Sequence, residues 1–214
     1  MLPLLRGHSP MWITKQHARW NHNIHYHDLL IEVVPAAGRV LDVGCGEGML
    51  TREVAARARS VLGVDLDATS IELARATTSD NNIDYLCADV MRYPFEVESF
   101  DAVVSVATLH HLGTEAGLLR LRDLVRPGGV LGIVGLASSE LPRDLGRELA
   151  AAMATRLLKL SRTYLEHSAP MVWDTPDTYR CVRRIAEQCL PGVTFRRHLL
   201  WRYSLIWKKP IDSH

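Results

Sequence analysis

No apolar run in the 214-residue chain approaches the roughly 18 residues that a membrane-spanning helix needs. The opening Met1-Leu-Pro-Leu-Leu-Arg-Gly-His-Ser-Pro10 is too short an apolar stretch, and too broken by prolines, for a secretion signal. No membrane partner and a cytoplasmic location are therefore expected. Cysteine is scarce: Cys45, Cys87, Cys181 and Cys189 include no Cys-x-x-Cys pair, so a zinc knuckle lacks its spacing, and disulfides are not expected in that compartment. An excess of charge of one sign is missing too. The net charge of +1 argues against a domain built to neutralise nucleic-acid phosphates, and no nucleic-acid partner is expected. There is no internal repeat and no low-complexity segment. What remains is an ordinary globular composition, 47% apolar and 23% charged, in a chain long enough to bury one full core.

The hydrophobic pattern alternates. Residues 11–34 are predicted helical in two pieces, a polar His-rich one and then Asp28–Val34, stopped by Pro35-Ala-Ala-Gly38. Arg39–Val43 reads as a strand, and Leu50–Arg59 as a helix with apolar residues at 50, 54, 55 and 58. Val61–Asp65 is a strand, Ala68–Ala76 a helix, Ile83–Ala88 and Asp101–Val106 strands, and Ala116–Val125 a helix. Arg126-Pro-Gly-Gly129 turns into a fifth strand, Val130–Leu136. Strands separated by helices at this spacing predict an α/β fold with a parallel sheet covered on both faces.

The last third changes rhythm. Arg143–Arg162, with apolar residues at 145, 149, 153, 157 and 160, predicts a long amphipathic helix, and Pro176–Leu190 another. Val193–Leu199 and Trp201–Lys208 are nearly adjacent and β-rich, which predicts an antiparallel pair closing the sheet. As one domain, the chain divides into a helical cover (1–34), a binding core (35–136), a second helical cover (137–192) and the terminal strands (193–210).

Chemistry concentrates at the strand ends. Asp42-Val-Gly44-Cys-Gly46-Glu-Gly48 lies between a strand and a helix, where glycines allow a sharp turn and close approach of a ligand to backbone N–H groups. Such a turn serves a pyrophosphate or an amino acid's carboxylate. Asp65 ends the next strand, where a Rossmann-like sheet presents a carboxylate to a ribose diol. Asp89 ends the third, placed to accept from an adenine amino group with Val90 against the ring. Each acid also has a plainer use: Asp42 as a turn cap, Asp65 as a loop acid, and Asp89 as an N-cap. Glu47 and Asp67 read as solvent-facing or capping.

Taken in order, Val40–Gly48, Gly63–Asp67, Ala88–Val90, Ser99–Leu112 and Leu124–Leu131 resemble the class I S-adenosylmethionine-dependent methyltransferases. The match is to the small, single-domain small-molecule group often typed as methyltransferase family 11. It covers about residues 30–136, and Trp201–Pro210 resembles the family's final strand. The resemblance implies a Rossmann-like, seven-stranded, mostly parallel sheet with its last strand antiparallel, and S-adenosylmethionine as cofactor. It implies that Asp42, Gly44, Cys45, Gly46 and Gly48 hold the methionine half, and that Asp65 binds the ribose with Leu66 beside the adenine. Asp89 and Val90 would contact the adenine, and Val106 and Ala107 would border the methyl donor.

His110-His111 follows the fourth strand, where the family faces its active-site mouth. Either ring is a candidate general base, as is His25, because imidazole titrates near neutrality. The plain alternative is a ring that only hydrogen-bonds neighbouring loops. The N-terminal segment gathers His17, Trp20, His22, His25, Tyr26 and His27. Histidines three apart on a helix share a face, but no acid other than Asp28 completes a ligand set, and no metal is expected. Trp12, Trp20 and Tyr26 are read as lining the substrate mouth, or as simple packing, and Trp173 as part of the later wall. Arginines 183, 184, 196 and 197 read as a solvated face, with a small basic patch as the alternative.

The expected activity is transfer of a methyl group to an O, N, S or C nucleophile of a small molecule, by a monomer or homodimer. A nicotinamide-dependent oxidoreductase shares the glycine turn and the acid at the second strand, but leaves Asp42 and the His-His segment without a use. A non-catalytic S-adenosylmethionine-binding module is the other alternative. A nucleic-acid or protein methylating enzyme is less expected, since no Asn/Asp-Pro-Pro-aromatic signature follows the fourth strand.

Overall fold

Alternating short apolar strands and amphipathic helices build a seven-stranded sheet in the computed structural model, which describes residues 19–140, 142–161, 163–164 and 176–211. The strands are β1 (Arg39–Val43), β2 (Ser60–Asp65), β3 (Ile83–Cys87), β4 (Phe100–Val106), β5 (Val125–Gly135), β6 (Thr194–Arg197) and β7 (Tyr203–Lys208). Their spatial order is β3-β2-β1-β4-β5-β7-β6. The first five run parallel, and β7 pairs antiparallel with both β5 and β6. The terminal pair is thus antiparallel, as its closeness in sequence predicts.

The helices are α1 (His27–Val33), α2 (Met49–Ala55), α3 (Ala68–Thr77), the single turn α4 (Leu109–Leu112), α5 (Thr114–Leu124), α6 (Leu145–Ser161) and α7 (Tyr179–Cys189). Central strands are apolar on both sides because both faces are covered. Leu118, Leu121, Val182 and Ala186 of α5 and α7 pack with Leu41, Val103 and Ile133 on one face. Leu30, Leu50 and Val54 of α1 and α2 pack with Val40, Val104 and Val134 on the other. Asp67 caps α3, accepting the Thr69 and Ser70 N–H groups at 3.2 and 3.1 Å, as expected of a capping acid.

The sheet fixes where a site must lie. From β1 the chain winds outward through β2 and β3, then returns to place β4 on the other side of β1. Successive crossovers therefore diverge from the carboxyl ends of β1 and β4, and such a reversal leaves a crevice.

Two expectations are corrected. The segment before α1 is not helical throughout: Arg19–Trp20 is a two-residue strand parallel to Thr163–Tyr164, and a 3-10 turn at Ile24–Tyr26 leads into α1. The helix α6 forms, but its predicted apolar stripe points outward, with Leu145, Leu149, Met153 and Leu157 52–66% exposed. Polar anchors choose the inner face. Glu148 accepts hydrogen bonds from Ser139 Oγ (2.5 Å) and Trp201 Nε1 (2.6 Å), and Thr155 Oγ1 meets His22 Nε2 at 3.2 Å. Ala151 lies between them, small enough for close approach and 3% exposed. Among the described residues no helix is long and apolar enough to cross a membrane.

Candidate active site

Three alternate glycines carry the loop after β1 through left-handed backbone, with φ of +72° at Gly44, +50° at Gly46 and +74° at Gly48. The Gly44 and Cys45 N–H groups both donate to Val64 O, at 2.8 and 3.1 Å, which ties the loop to β2. Two of the glycines are needed for packing. A Cβ on Gly44 would lie 1.9 Å from Thr108 Oγ1, and one on Gly48 would lie 2.2 Å from the Tyr85 hydroxyl. Gly46 differs. A Cβ there would meet nothing within 4 Å, so the loop's centre opens onto a cradle.

The three acids predicted at the strand ends stand along one edge of the sheet. Asp42 is 1% exposed, and Thr51 Oγ1 donates to its Oδ2 at 2.6 Å. Burial pushes its carboxyl up to about 6, against the pull of Thr51 and His27, with Asp65 and Glu53 adding to the rise. Asp65 uses both oxygens on backbone, accepting Gly46 N–H at 2.8 Å and Asp67 N–H at 2.9 Å. It therefore fastens the open glycine to the end of β2. Asp89 Oδ1 accepts Met91 N–H at 2.9 Å, the plain turn role, while Oδ2 lies 3.5 Å from Arg92 Nε. Beside these acids Leu66 is 71% exposed and Val90 is buried.

Cys45 does not face the crevice. Its side chain packs with Ile71, Ala74 and Tyr85, and burial pushes its thiol well above the usual range. Its N–H goes to Val64 and its carbonyl accepts Gly48 N–H at 2.9 Å. The Cys45 side chain therefore shapes the loop from beneath, as a buried thiol.

Across the crevice, Val106 ends β4, and Ala107 takes a left-handed φ of +54° that turns the chain into α4. Thr108, which sequence reasoning missed, fills the space left by Gly44 and donates to Val106 O at 3.0 Å. His110 is half-buried with its Nδ1 enclosed and without a hydrogen-bond partner among the described residues. Its ring centroid lies 3.9 Å from that of the exposed His111. Burial, then His111 and Arg202, push the His110 ring down to about 4. The ring is neutral at physiological pH.

The two ends of the chain meet beside β7. Tyr26 donates its hydroxyl to Leu199 O at 2.5 Å, and its ring lies 4.7 Å from His25 and 5.0 Å from His198. His198 Nε2 meets Ser204 Oγ at 2.8 Å. The buried Arg202 donates to Asn23 Oδ1 through Nε (3.0 Å) and a terminal nitrogen (2.7 Å), and its charge acts on both Tyr26 and His110. Neither His198 nor Arg202 carried a sequence signal beyond lying in a β-rich tail. His27, in the same His-rich segment, pairs with Glu53 at 2.7 Å. The Trp20 side chain, Trp12, His17 and Trp173 lie outside the described residues.

This geometry has close parallels. A family model described as a methyltransferase domain matches residues 40–129. An uncharacterized methyltransferase of Mycobacterium tuberculosis is 39% identical over 194 residues, which is 90% of this chain and 98% of that protein. The chain belongs to the class I S-adenosylmethionine-dependent methyltransferases. A ubiquinone biosynthesis O-methyltransferase of Methylocella silvestris is 38% identical over 96 residues, 44% of this methyltransferase and 38% of that one. In fold, the methyltransferase matches the crystal structure of a SAM-dependent methyltransferase from Aquifex aeolicus, with a TM-score of 0.59 and 16% identity over 85% of this chain and 87% of that one.

The enzyme's cofactor is S-adenosylmethionine. The loop fits that group, because the glycine at its centre is the one whose missing side chain leaves open space beside the strand-end acids. The nicotinamide and non-catalytic alternatives are not favoured.

Proposed function

We propose that this methyltransferase methylates an O, N, S or C nucleophile of a small molecule by in-line displacement in the crevice between β1 and β4. The observation that carries the reading is a pairing. The open cradle at Gly46 and the unpartnered Nδ1 of His110 are joined through Thr108, which packs on Gly44 two residues before His110. Bound S-adenosylmethionine supplies a methyl group already activated on a sulfonium. The protein's remaining work is alignment, exclusion of water and handling of one proton.

Each residue has a stated part. Gly44, Gly46 and Gly48 shape the cradle for the methionine half, with Asp42 behind it. Asp65, whose oxygens each retain a lone pair beyond their backbone bonds, accepts from the ribose hydroxyls. Leu66, Asp89 and Val90 take the adenine, and Val106 and Ala107 flank the reacting centre. His110 is assigned the acceptor's proton. His111 and His25 stand by at the mouth, with the Tyr26 ring as wall. The Methylocella relative, named for O-methylation in ubiquinone biosynthesis, supports a small acceptor and an oxygen nucleophile. A cytoplasmic setting belongs to the same reading.

The test is His110→Ala against a broad panel of small acceptors, with S-adenosylhomocysteine affinity measured by calorimetry. Loss of a general base costs roughly 100- to 10,000-fold in turnover, and affinity is expected to stay near wild type. Equal losses in both would place the ring in cofactor binding or scaffold.

A further inference from the structure

We propose that the cleft between the starts of α6 and α7 binds an oxyanion, a phosphate or carboxylate group, carried by the methyl acceptor. The second half of that statement rests on the function proposed above; the first does not. The cleft is about 610 Å³ and is walled by Arg143, Arg147, Arg180, Arg183 and Arg197 over Tyr179. In a chain whose net charge is only +1, this is a strong local concentration of positive charge.

Two of the five arginines are committed. Arg197 donates to Asp144 at 2.6 Å and lies 3.8 Å from the Tyr179 ring centroid, and Arg183 pairs with Glu187 at 2.8 Å. The guanidinium groups of Arg143, Arg147 and Arg180 are exposed and make no hydrogen bond or salt bridge among the described residues, although the Arg143 charge acts on Asp144. Asp144, the acid nearest them, already carries Arg197 and the Glu140 N–H. Among the described residues the Glu140 carboxylate is the one uncommitted acid in the lining, so three arginines against one glutamate leave an excess of two positive charges there.

The backbone adds to that excess. Arg180, Arg183 and Arg184 occupy the first turns of the eleven-residue α7, with no acid in its first turn. Cations at a helix N-terminus oppose the macrodipole and weaken the helix. An anion seated there relieves both the mutual repulsion and the dipole conflict. Guanidinium groups suit it because they pair bidentately with planar or tetrahedral oxyanions.

Position links the cleft to the transfer site. The bridge between Ser138 and Thr178, with Ser138 N–H donating to Asp177 O at 2.9 Å, ties the start of α7 to the segment leaving β5. Tyr179, the cleft floor, packs edge-on to Tyr203 at 6.3 Å, and Tyr203 fills the space left by Gly135 at the end of β5.

The probe is inorganic pyrophosphate, titrated by calorimetry at low ionic strength into the wild-type chain, the triple variant R143Q/R147Q/R180Q and the control R57Q. Arg57 is exposed, and its carbonyl accepts Ala37 N–H at the opposite edge of the sheet. Wild type and R57Q are expected to bind alike, the triple variant at least about tenfold more weakly, and added salt to weaken the wild type. Equal binding by wild type and triple variant, or no saturable binding by the wild type, overturns the site. A second arm compares KM for acceptor pairs differing by one phosphate or carboxylate. A preference for the anionic member that the triple variant loses with kcat unchanged supports the anchoring role. Equal KM for both members in the wild type overturns that role. If no acceptor is methylated by any variant, the failure falls on the proposed function, and the pyrophosphate titration still decides the site.

Discussion

Replacing Gly46 by alanine separates a ligand-facing glycine from one that merely allows a turn. At φ +50° an L-residue costs about 1–2 kcal/mol, partly offset by the lower entropy of the unfolded chain. Because the added methyl meets no atom within 4 Å, no steric cost follows. The net loss of about 1 kcal/mol lowers Tm by roughly 2–4 °C in a chain of this size. The same methyl stands in the cradle, however, and overpacking a bound cofactor there costs about 1–3 kcal/mol, or roughly 5- to 150-fold in S-adenosylhomocysteine affinity. Gly44→Ala reverses the pattern: a contact of 1.9 Å with Thr108 Oγ1 forces the packing apart and destabilises the fold itself. Thermal melting and calorimetry on the two variants resolve the difference. A folded Gly46→Ala protein that binds S-adenosylhomocysteine with wild-type affinity would refute the reasoning, because the loop's centre would then not face the cofactor.

Two further predictions concern protons. Asp42 has its folded value raised above the unfolded one, from 3.8 to about 6, so its neutral form favours the fold. That contribution is complete below about pH 4 and is lost as pH rises towards 6, up to about 3 kcal/mol. Asp42→Asn keeps an acceptor for Thr51 and cannot ionise, so the variant's melting temperature should gain on the wild type between pH 4 and 6.5; a pH-independent difference would contradict this. His110, held down to about 4, stays neutral through physiological pH. Turnover that depends on it should show no acid limb near 6.5, and His111→Ala should move the limb upward by removing a neighbouring charge. A wild-type limb at 6.5 would instead place the proton on a group other than His110.

Much of the glycine loop and of the strand ends around it is legible in the sequence. Its parts are local: the strand from Arg39, the glycines, Asp65 and the turn after β3 lie in consecutive units, and short apolar runs between helices leave little choice of topology. The face of α6 was not readable. A stripe at 145, 149, 153 and 157 has the period of a buried face, but Glu148 and Thr155 found partners on the other side. Nor was the role of Cys45: its place inside the glycine loop suggests a contact, whereas the φ of its neighbours turns the thiol under the loop.

The proposed acceptor side was hidden for a different reason. Its residues meet across the length of the chain: Arg202 bonds Asn23 across 179 positions, Tyr26 bonds Leu199 across 173, and Arg197 bonds Asp144 across 53. No periodicity or spacing encodes such pairs. They become legible only once β7 is seen between β5 and β6, which brings the turn before β7 back towards the N-terminal segment. The donor is therefore specified by a continuous stretch and the acceptor by a convergence. It follows that substitutions in the glycine loop should alter cofactor affinity whatever the acceptor, while those at Arg202, His198 or the arginine cleft should change acceptor choice and leave cofactor affinity intact.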